Sequence, residues 1–262
     1  MNGEVGVKMV VHKIITLLTD FGDFYPGVMK GVILKICPDV KIVDITHSVE
    51  PQNVLQAAFL LSNYHNFFEN AIHLVVVDPG VGSEREALIV ERDNIFIAPN
   101  NGILTPVLDN CKIWRIDESK TSKFTKTLSS TFHGRDVFAP AAALAALDKI
   151  EEIAEPFKDD VIKLNIFNPE IKGNKIKCNA VYIDRFGNVV TDLKRELIQK
   201  INPKGFYIKD TYFPLVERYV DVEMNEPLSL IGSFDTLELS VRNGSASERF
   251  GIRCGELNLE VV

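Results

Sequence analysis

Short apolar runs alternate with helical patterns through the first 150 residues. Residues 14–19 form an apolar strand pattern that runs straight into Asp20-Phe21-Gly22, and residues 28–36 carry helical periodicity that stops at Cys37-Pro38. Residues 41–45 read as a second strand and 53–65 as a second helix. Residues 71–77 are almost wholly apolar, as in a strand buried on both faces, and end abruptly at Asp78-Pro79-Gly80. Residues 87–90 and 95–98 flank Glu91-Arg92-Asp93-Asn94, a hairpin signal. Residues 137–150 are alanine-rich and helical, with Pro140 in the first turns, where proline is tolerated. This alternation predicts an α/β layer with a mainly parallel sheet.

From about Glu151 the pattern changes. Residues 157–175 are polar, contain Pro169 and Gly173, and read as a linker. Short strand-like runs follow at 180–183, 188–191, 206–208, 228–231, 237–241 and 257–262, separated by turn residues. The expected fold class is therefore α/β plus all-β. An N-terminal α/β domain (1–156) and a linker (157–175) precede a small barrel-like β domain (176–262), and a cleft between domains is the default ligand site.

A length of 262 residues suits one or two domains, and 46% hydrophobic with 25% charged residues is an ordinary globular composition. The net charge of −7 and the scattered basic residues argue against a nucleic-acid partner. No apolar run approaches the ~20 residues of a membrane helix. His12 and Lys13 interrupt the first apolar stretch, which argues against a secretory signal, and Met9 is an alternative start. Cys37, Cys111, Cys178 and Cys254 lie far apart with no CxxC pair, against zinc and against a disulfide framework. The expectation is a cytoplasmic protein without metal or cofactor.

In open α/β sheets ligands sit beyond the carboxyl ends of the strands. Asp20 and Asp78 both occupy such positions, each in a glycine-containing turn, although either would also serve as a helix cap. Neither turn is a GxGxxG or Walker loop, so phosphate cradling is unsupported. His133 lies in Ser130-Thr131-Phe132-His133-Gly134-Arg135-Asp136, just before the alanine-rich helix. A carboxylate–imidazole pair is what orienting or deprotonating a water requires, and a single loop histidine is otherwise commonly structural. Arg85, seven residues past Asp78, is either its counter-ion or a solvated loop charge. The residues by themselves support a two-domain protein with a candidate Asp–His site.

A series of motifs is more specific. Thr19-Asp20-Phe21-Gly22, Ile36-Cys37-Pro38-Asp39-Val40, Val43-Asp44-Ile45-Thr46-His47, Asp78-Pro79-Gly80-Val81-Gly82, Ala98-Pro99-Asn100-Asn101-Gly102-Ile103-Leu104 and Thr131-Phe132-His133-Gly134-Arg135-Asp136 occur in order. Ile183-Asp184-Arg185-Phe186-Gly187-Asn188 and Arg242-Asn243-Gly244-Ser245-Ala246 follow. Together they resemble the S-adenosyl-L-methionine hydrolases, or SAM hydroxide adenosyltransferases, relatives of the fluorinase and chlorinase. The resemblance implies cleavage of S-adenosyl-L-methionine by water at ribose C5′, giving adenosine and methionine. It also implies a homotrimer with sites at subunit interfaces, and a water-activating triad at Asp78, Arg85 and His133.

The same resemblance places Asp20 on both ribose hydroxyls, a role suited to an acceptor-only group. Asp184 falls on the methionine ammonium, Phe186 and Tyr219 around adenine, Asn188 on the adenine edge and Ser233 on the methionine carboxylate. Phe234 replaces an arginine of the fluorinase, which leaves Arg242 as a candidate cation; for each aromatic, core packing is the competing role. The fluorinase carries tyrosines at the positions of Asp78 and His133 and a serine at that of Gly134, so halogenation is disfavoured. A nucleophilic halogenase and a binding protein that does not turn its ligand over are the alternatives.

Overall fold

Structure and sequence pattern agree most closely along the parallel strands at the centre of the first sheet. The computed structural model describes residues 12–262; the alternative start at Met9 lies outside them. The chain divides between Leu164 and Asn165 into two compact units. In the first, β1 (Ile14–Thr19), α1 (Phe24–Ile36), β2 (Lys41–Thr46), α2 (Val54–Tyr64) and β3 (Ala71–Val76) alternate. The hairpin β4 (Ala87–Glu91) and β5 (Ile95–Pro99) comes next, then β6 (Lys112–Ile116), α3 (Glu118–Thr121), α4 (Ala139–Ala146), α5 (Ile150–Ile153) and β7 (Ala154–Pro156).

The seven-stranded sheet runs β2-β1-β3-β5-β4-β6-β7. Pairing is parallel from β2 to β5 and antiparallel beyond, because the 92–94 turn is too short for a crossover. Alternation along β3 sorts its side chains: Ile72, Leu74 and Val76 join Met29, Ile33 and the alanines of α4, while Val75 meets Ala57 and Leu61 of α2. Both faces are covered, which explains the unbroken apolar run. His73 is the polar exception. It is buried, bonds Thr16 through Nδ1 and stacks on Phe96 at 5.0 Å. Burial pushes its pKa down to about 3, so the ring is neutral.

Three boundaries differ from expectation. Helix α1 begins at Phe24 rather than near residue 28, with Pro26 in its first turn, where no intrahelical N–H is needed. The expected helix over 137–150 begins instead as a π-helical turn, Gly134–Phe138, continues as α4, and breaks before α5 at Asp148, whose φ is 59°. The segment read as a linker is fastened to its neighbours. Phe157, Ile162 and Leu164 donate backbone N–H to Ile113 O, Asn100 Oδ1 and Thr105 Oγ1 of the first unit. Glu170–Lys172 forms strand β8.

The second unit continues with β9 (Lys175–Ile183), β10 (Val189–Lys194), α6 (Arg195–Ile201), β11 (Gly205–Ile208), β12 (Thr211–Pro214), β13 (Pro227–Ile231), β14 (Thr236–Val241), α7 (Ala246–Phe250) and β15 (Gly255–Val261). Its antiparallel order is β12-β11-β15-β9-β10-β14-β13, with β8 on β9. A bridge between Leu215 and Ser229 brings the ends together into a nearly closed barrel. Val189, Phe206, Phe213, Leu237 and Leu239 fill it. No described helix is long and apolar enough to cross a membrane.

Candidate functional site

Asp20 and Asp78 leave the carboxyl ends of adjacent parallel strands, with Thr19 of β1 opposite Val76 of β3. Asp20 Oδ2 accepts from Gln52 N at 2.8 Å. The turn after β3 folds back so that Gly80 N–H donates to Asp78 Oδ1 (3.2 Å). Gly82 has φ +77°, and a Cβ there would lie 2.3 Å from the Ser130 carbonyl oxygen. Glycine therefore lets the segment bearing His133 close over this turn.

That segment is anchored by Asp136, which is fully buried. Its carboxylate accepts from Arg135 Nε and Nη2 (both 2.7 Å), Ser129 N (2.8 Å) and Thr127 Oγ1 (3.0 Å). Burial by itself would raise its pKa; these donors outweigh burial and hold it down at about 2. His133 then caps the π-helical turn, in which the N–H groups of Arg135 and Asp136 share the Phe132 carbonyl.

Arg85 links three acidic or basic partners. Its Nε and Nη2 donate to Asp78 Oδ2 at 2.9 and 2.6 Å, Nη2 also to His133 Nδ1 at 2.8 Å, and Nη1 to Glu118 Oε1 at 3.2 Å. The Arg85, Asp78 and His133 side chains are 8%, 4% and 5% exposed, whereas Glu118 is 30% exposed. A guanidinium has no acceptor, so His133 Nδ1 receives the bond and the proton of the neutral ring sits on Nε2. Burial, chiefly, lowers the His133 pKa; Arg85 acts in the same sense, against Glu118, Asp78 and Asp136. The imidazole is thus a neutral Nε2–H donor at pH 7.

Asp78 and His133 line a cavity of about 40 Å³, walled by Phe21, Val76, Val81 and Phe132. A cavity holds a water once it offers about 10–15 Å³, so this space admits water, with an acceptor and a donor at its edge. The three expected residues come together here, and Glu118 joins them. No motif marks Glu118, which lies 33 residues from Arg85 in a short charged run.

The second unit holds a cavity of about 930 Å³, in the range of pockets for nucleoside-sized ligands. Asp184, Phe186, Asn188, Tyr219 and Ser233 all line it. Asp184 Oδ1 accepts from Phe186 N (2.8 Å) and Asn188 N (2.9 Å), and Oδ2 from Asn188 Nδ2 (2.9 Å). Phe186 is 75% and Tyr219 41% exposed, so neither ring is core packing. Arg242 lies outside this lining: its Nη1 donates to the Val222 carbonyl at 2.7 Å, and the arginine that lines the cavity is Arg218. Glu238, not singled out by sequence, is buried and accepts from Tyr219 OH (2.5 Å) and Ser240 Oγ (2.9 Å). Burial and this carboxylate raise the Tyr219 pKa, so the phenol stays a donor.

Residues 15–154 match the model of the SAM hydroxide adenosyltransferase N-terminal domain, and residues 178–257 that of the C-terminal domain. A protein of Methanocaldococcus jannaschii named (R)-S-adenosyl-L-methionine hydrolase is 33% identical over 256 residues, covering 91% of this chain and 92% of that protein. A fluorinase of Actinoplanes sp. is 28% identical, covering 93% of this chain and 96% of that protein. A solved structure of an uncharacterized conserved protein from Thermotoga maritima superposes with a TM-score of 0.83 at 32% identity, covering 94% of this chain and 99% of that one.

Proposed function

The chain belongs to the SAM hydroxide adenosyltransferase family, and from that premise we propose that it hydrolyses S-adenosyl-L-methionine to adenosine and L-methionine. The relatives named hydrolase support this reaction. The observation that carries it to particular residues is the cavity of about 40 Å³ edged by Asp78 and His133.

In this reading the cavity holds the attacking water. His133 Nε2–H donates to the water oxygen, and Asp78 Oδ1, which keeps lone pairs beyond the Gly80 bond, accepts a water proton. The oxygen bonds to C5′ as the C5′–S bond breaks, its electron pair moving to sulfur. The second water proton stays on the new hydroxyl, and the first passes through Asp78 to solvent. A neutral thioether leaves, so no general acid is needed. General-base help is worth ~10²–10⁴-fold. Alignment of water and C5′ is worth up to ~7–11 kcal/mol, so positioning dominates.

Asp20 takes the ribose hydroxyls. Asp184 takes the methionine ammonium on lone pairs beyond its three N–H bonds, and Asn188, whose amide N–H₂ is engaged with Asp184, offers Oδ1 to the adenine amino group. Phe186 and Tyr219 flank the base, and Ser233 meets the methionine carboxylate. Arg242 would have to leave the Val222 carbonyl to assist it. The reading includes no resident cofactor, a homotrimer with sites at subunit interfaces and a cytoplasmic location, supported by the sequence resemblance and composition. Light scattering of the purified protein tests the trimer.

Chromatography of S-adenosyl-L-methionine incubated with the protein, with and without chloride and beside Asp78→Ala, tests the reaction. Adenosine and methionine that require Asp78 and not halide are expected. A 5′-halo-adenosine would move the protein to the halogenases, and unchanged substrate would make it a binding protein.

A further inference from the structure

We propose that Glu118 is a positioning residue for the water site: its carboxylate holds one edge of Arg85 so that the opposite edge serves Asp78 and His133 together. This rests on the hydrolase reading above. Arg85 has five N–H groups in a rigid fork. Nε and one Nη2 hydrogen converge on Asp78 Oδ2, the other Nη2 hydrogen meets His133 Nδ1, and Nη1 reaches Glu118. Without Glu118, Nη1 has no acceptor among the described residues, and the plane, held at Asp78 by two N–H groups that converge on the single oxygen Oδ2, can pivot about that oxygen over the Phe138 ring, 5.3 Å away. Such a turn lifts Nη2 off His133 and releases the imidazole tautomer.

The backbone of Glu118 is itself fixed. It is the first residue of α3, whose cap Asp117 accepts from Ser119 N at 3.0 Å and donates its own N–H to Ile153 O at 2.8 Å. Glu118 Oε1 also lies 3.5 Å from His133 Nδ1. Four charged groups face His133: Glu118 from α3, Arg85 from the approach to β4, Asp78 after β3 and Asp136 from the π-helical turn. Among them Glu118 exerts the largest pull on the ring, toward the imidazolium. Removing its charge makes His133 harder to protonate, so the ring stays a neutral acceptor for Arg85 to lower pH.

The test uses Glu118→Gln and Glu118→Ala in the full chain, with steady-state hydrolysis measured across about pH 5 to 9 and an NMR titration of His133. Glu118→Ala should lower kcat by about 10- to 100-fold, the range of a misplaced reacting group, with KM within about twofold. Glu118→Gln keeps an acceptor for Nη1; it should restore most of kcat while the acid limb of the profile and the His133 titration move to lower pH. Unchanged kcat in Glu118→Ala, or a His133 titration unmoved in Glu118→Gln, overturns the proposal. The titration needs no turnover, so wild-type protein that makes no adenosine refutes the hydrolase reading separately.

Discussion

Replacing His133 by alanine removes one hydrogen-bond donor from the edge of a cavity of about 40 Å³. The fold should tolerate it. Arg85 loses one acceptor but keeps Asp78 through two N–H groups and Glu118 through a third, so no buried charge is stranded. The turn that follows His133 is held by Asp136 and its donors rather than by the imidazole. The chemical step should suffer more. Deleting a preorganised donor to an oxygen that gains charge costs about 10²–10³-fold in kcat, which corresponds to roughly 2.7–4 kcal/mol of barrier. His133 is assigned to the water and not to the adenine or methionine, so KM should stay within about threefold. Adenosine formation over a range of S-adenosyl-L-methionine concentrations gives both constants, and equilibrium binding of the substrate to the variant checks KM. If turnover and binding fall by the same factor, His133 supports the site's structure and does not handle the water.

Asp20→Ala should weaken binding far more than it lowers kcat, and unchanged affinity for adenosine would end its assignment to the ribose. Gly134→Ser should destabilise by about 1–3 kcal/mol in urea unfolding without producing a halogenase, since a Cβ there would sit 2.9 Å from Phe21 and 3.2 Å from Met29; a stable variant forming 5′-chloro-adenosine would contradict this. Gly82→Ala should cost turnover through the 2.3 Å approach to the Ser130 carbonyl, and a fully active variant would show that the two loops need not touch. Below pH 6.5 the unfolded chain protonates its residue 73 imidazole, while the folded one resists to about pH 3, so stability should fall by about 1.4 kcal/mol per pH unit through that window. His73→Phe should remove that component of the acid dependence, and an unchanged urea-midpoint profile would show that His73 does not carry it.

What the sequence made legible tracks how strongly each neighbourhood constrains its residues. Strand β3 is wrapped on both faces, so every position must be apolar and the run stands out. Strands β6 and β8 lie toward a sheet edge or on the exterior, where Lys112, Arg115, Glu170 and Lys172 are tolerated, and the apolar pattern marks neither of them as a strand. The π-helical turn escapes because every residue from 136 to 146 is buried, which leaves no apolar–polar spacing for a shifted hydrogen bond to disturb. Asp78 was visible from its position at the end of a strand. Glu118 was not, because Asp117-Glu118-Ser119-Lys120 is indistinguishable from a solvated charge run until Arg85 is seen to reach it. For Arg242 the charge was legible but its destination was set by the Val220 and Val222 carbonyls, a matter of loop path.

The charge count around the cavity bears on which nucleophile the proposed site accepts. Asp78 and Glu118 are both carboxylates on the single guanidinium of Arg85, and His133 is neutral, so the cluster carries one net negative charge. A chloride ion entering beside it would meet that excess with the cation already shared. One unit of like charge at about 4 Å costs about 4 kcal/mol at an effective dielectric constant near 20. Water enters without that penalty. When it gives a proton to Asp78, the negative charge passes from the carboxylate to the oxygen attacking C5′, and the net charge of the cluster with its water is unchanged. The attack then joins that negative oxygen to a substrate carrying a positive sulfonium, so charge is cancelled as the transition state forms. A cluster with a surplus carboxylate therefore favours a neutral nucleophile with a proton to surrender, and halide, which has none, gains nothing from Asp78 and is repelled by it.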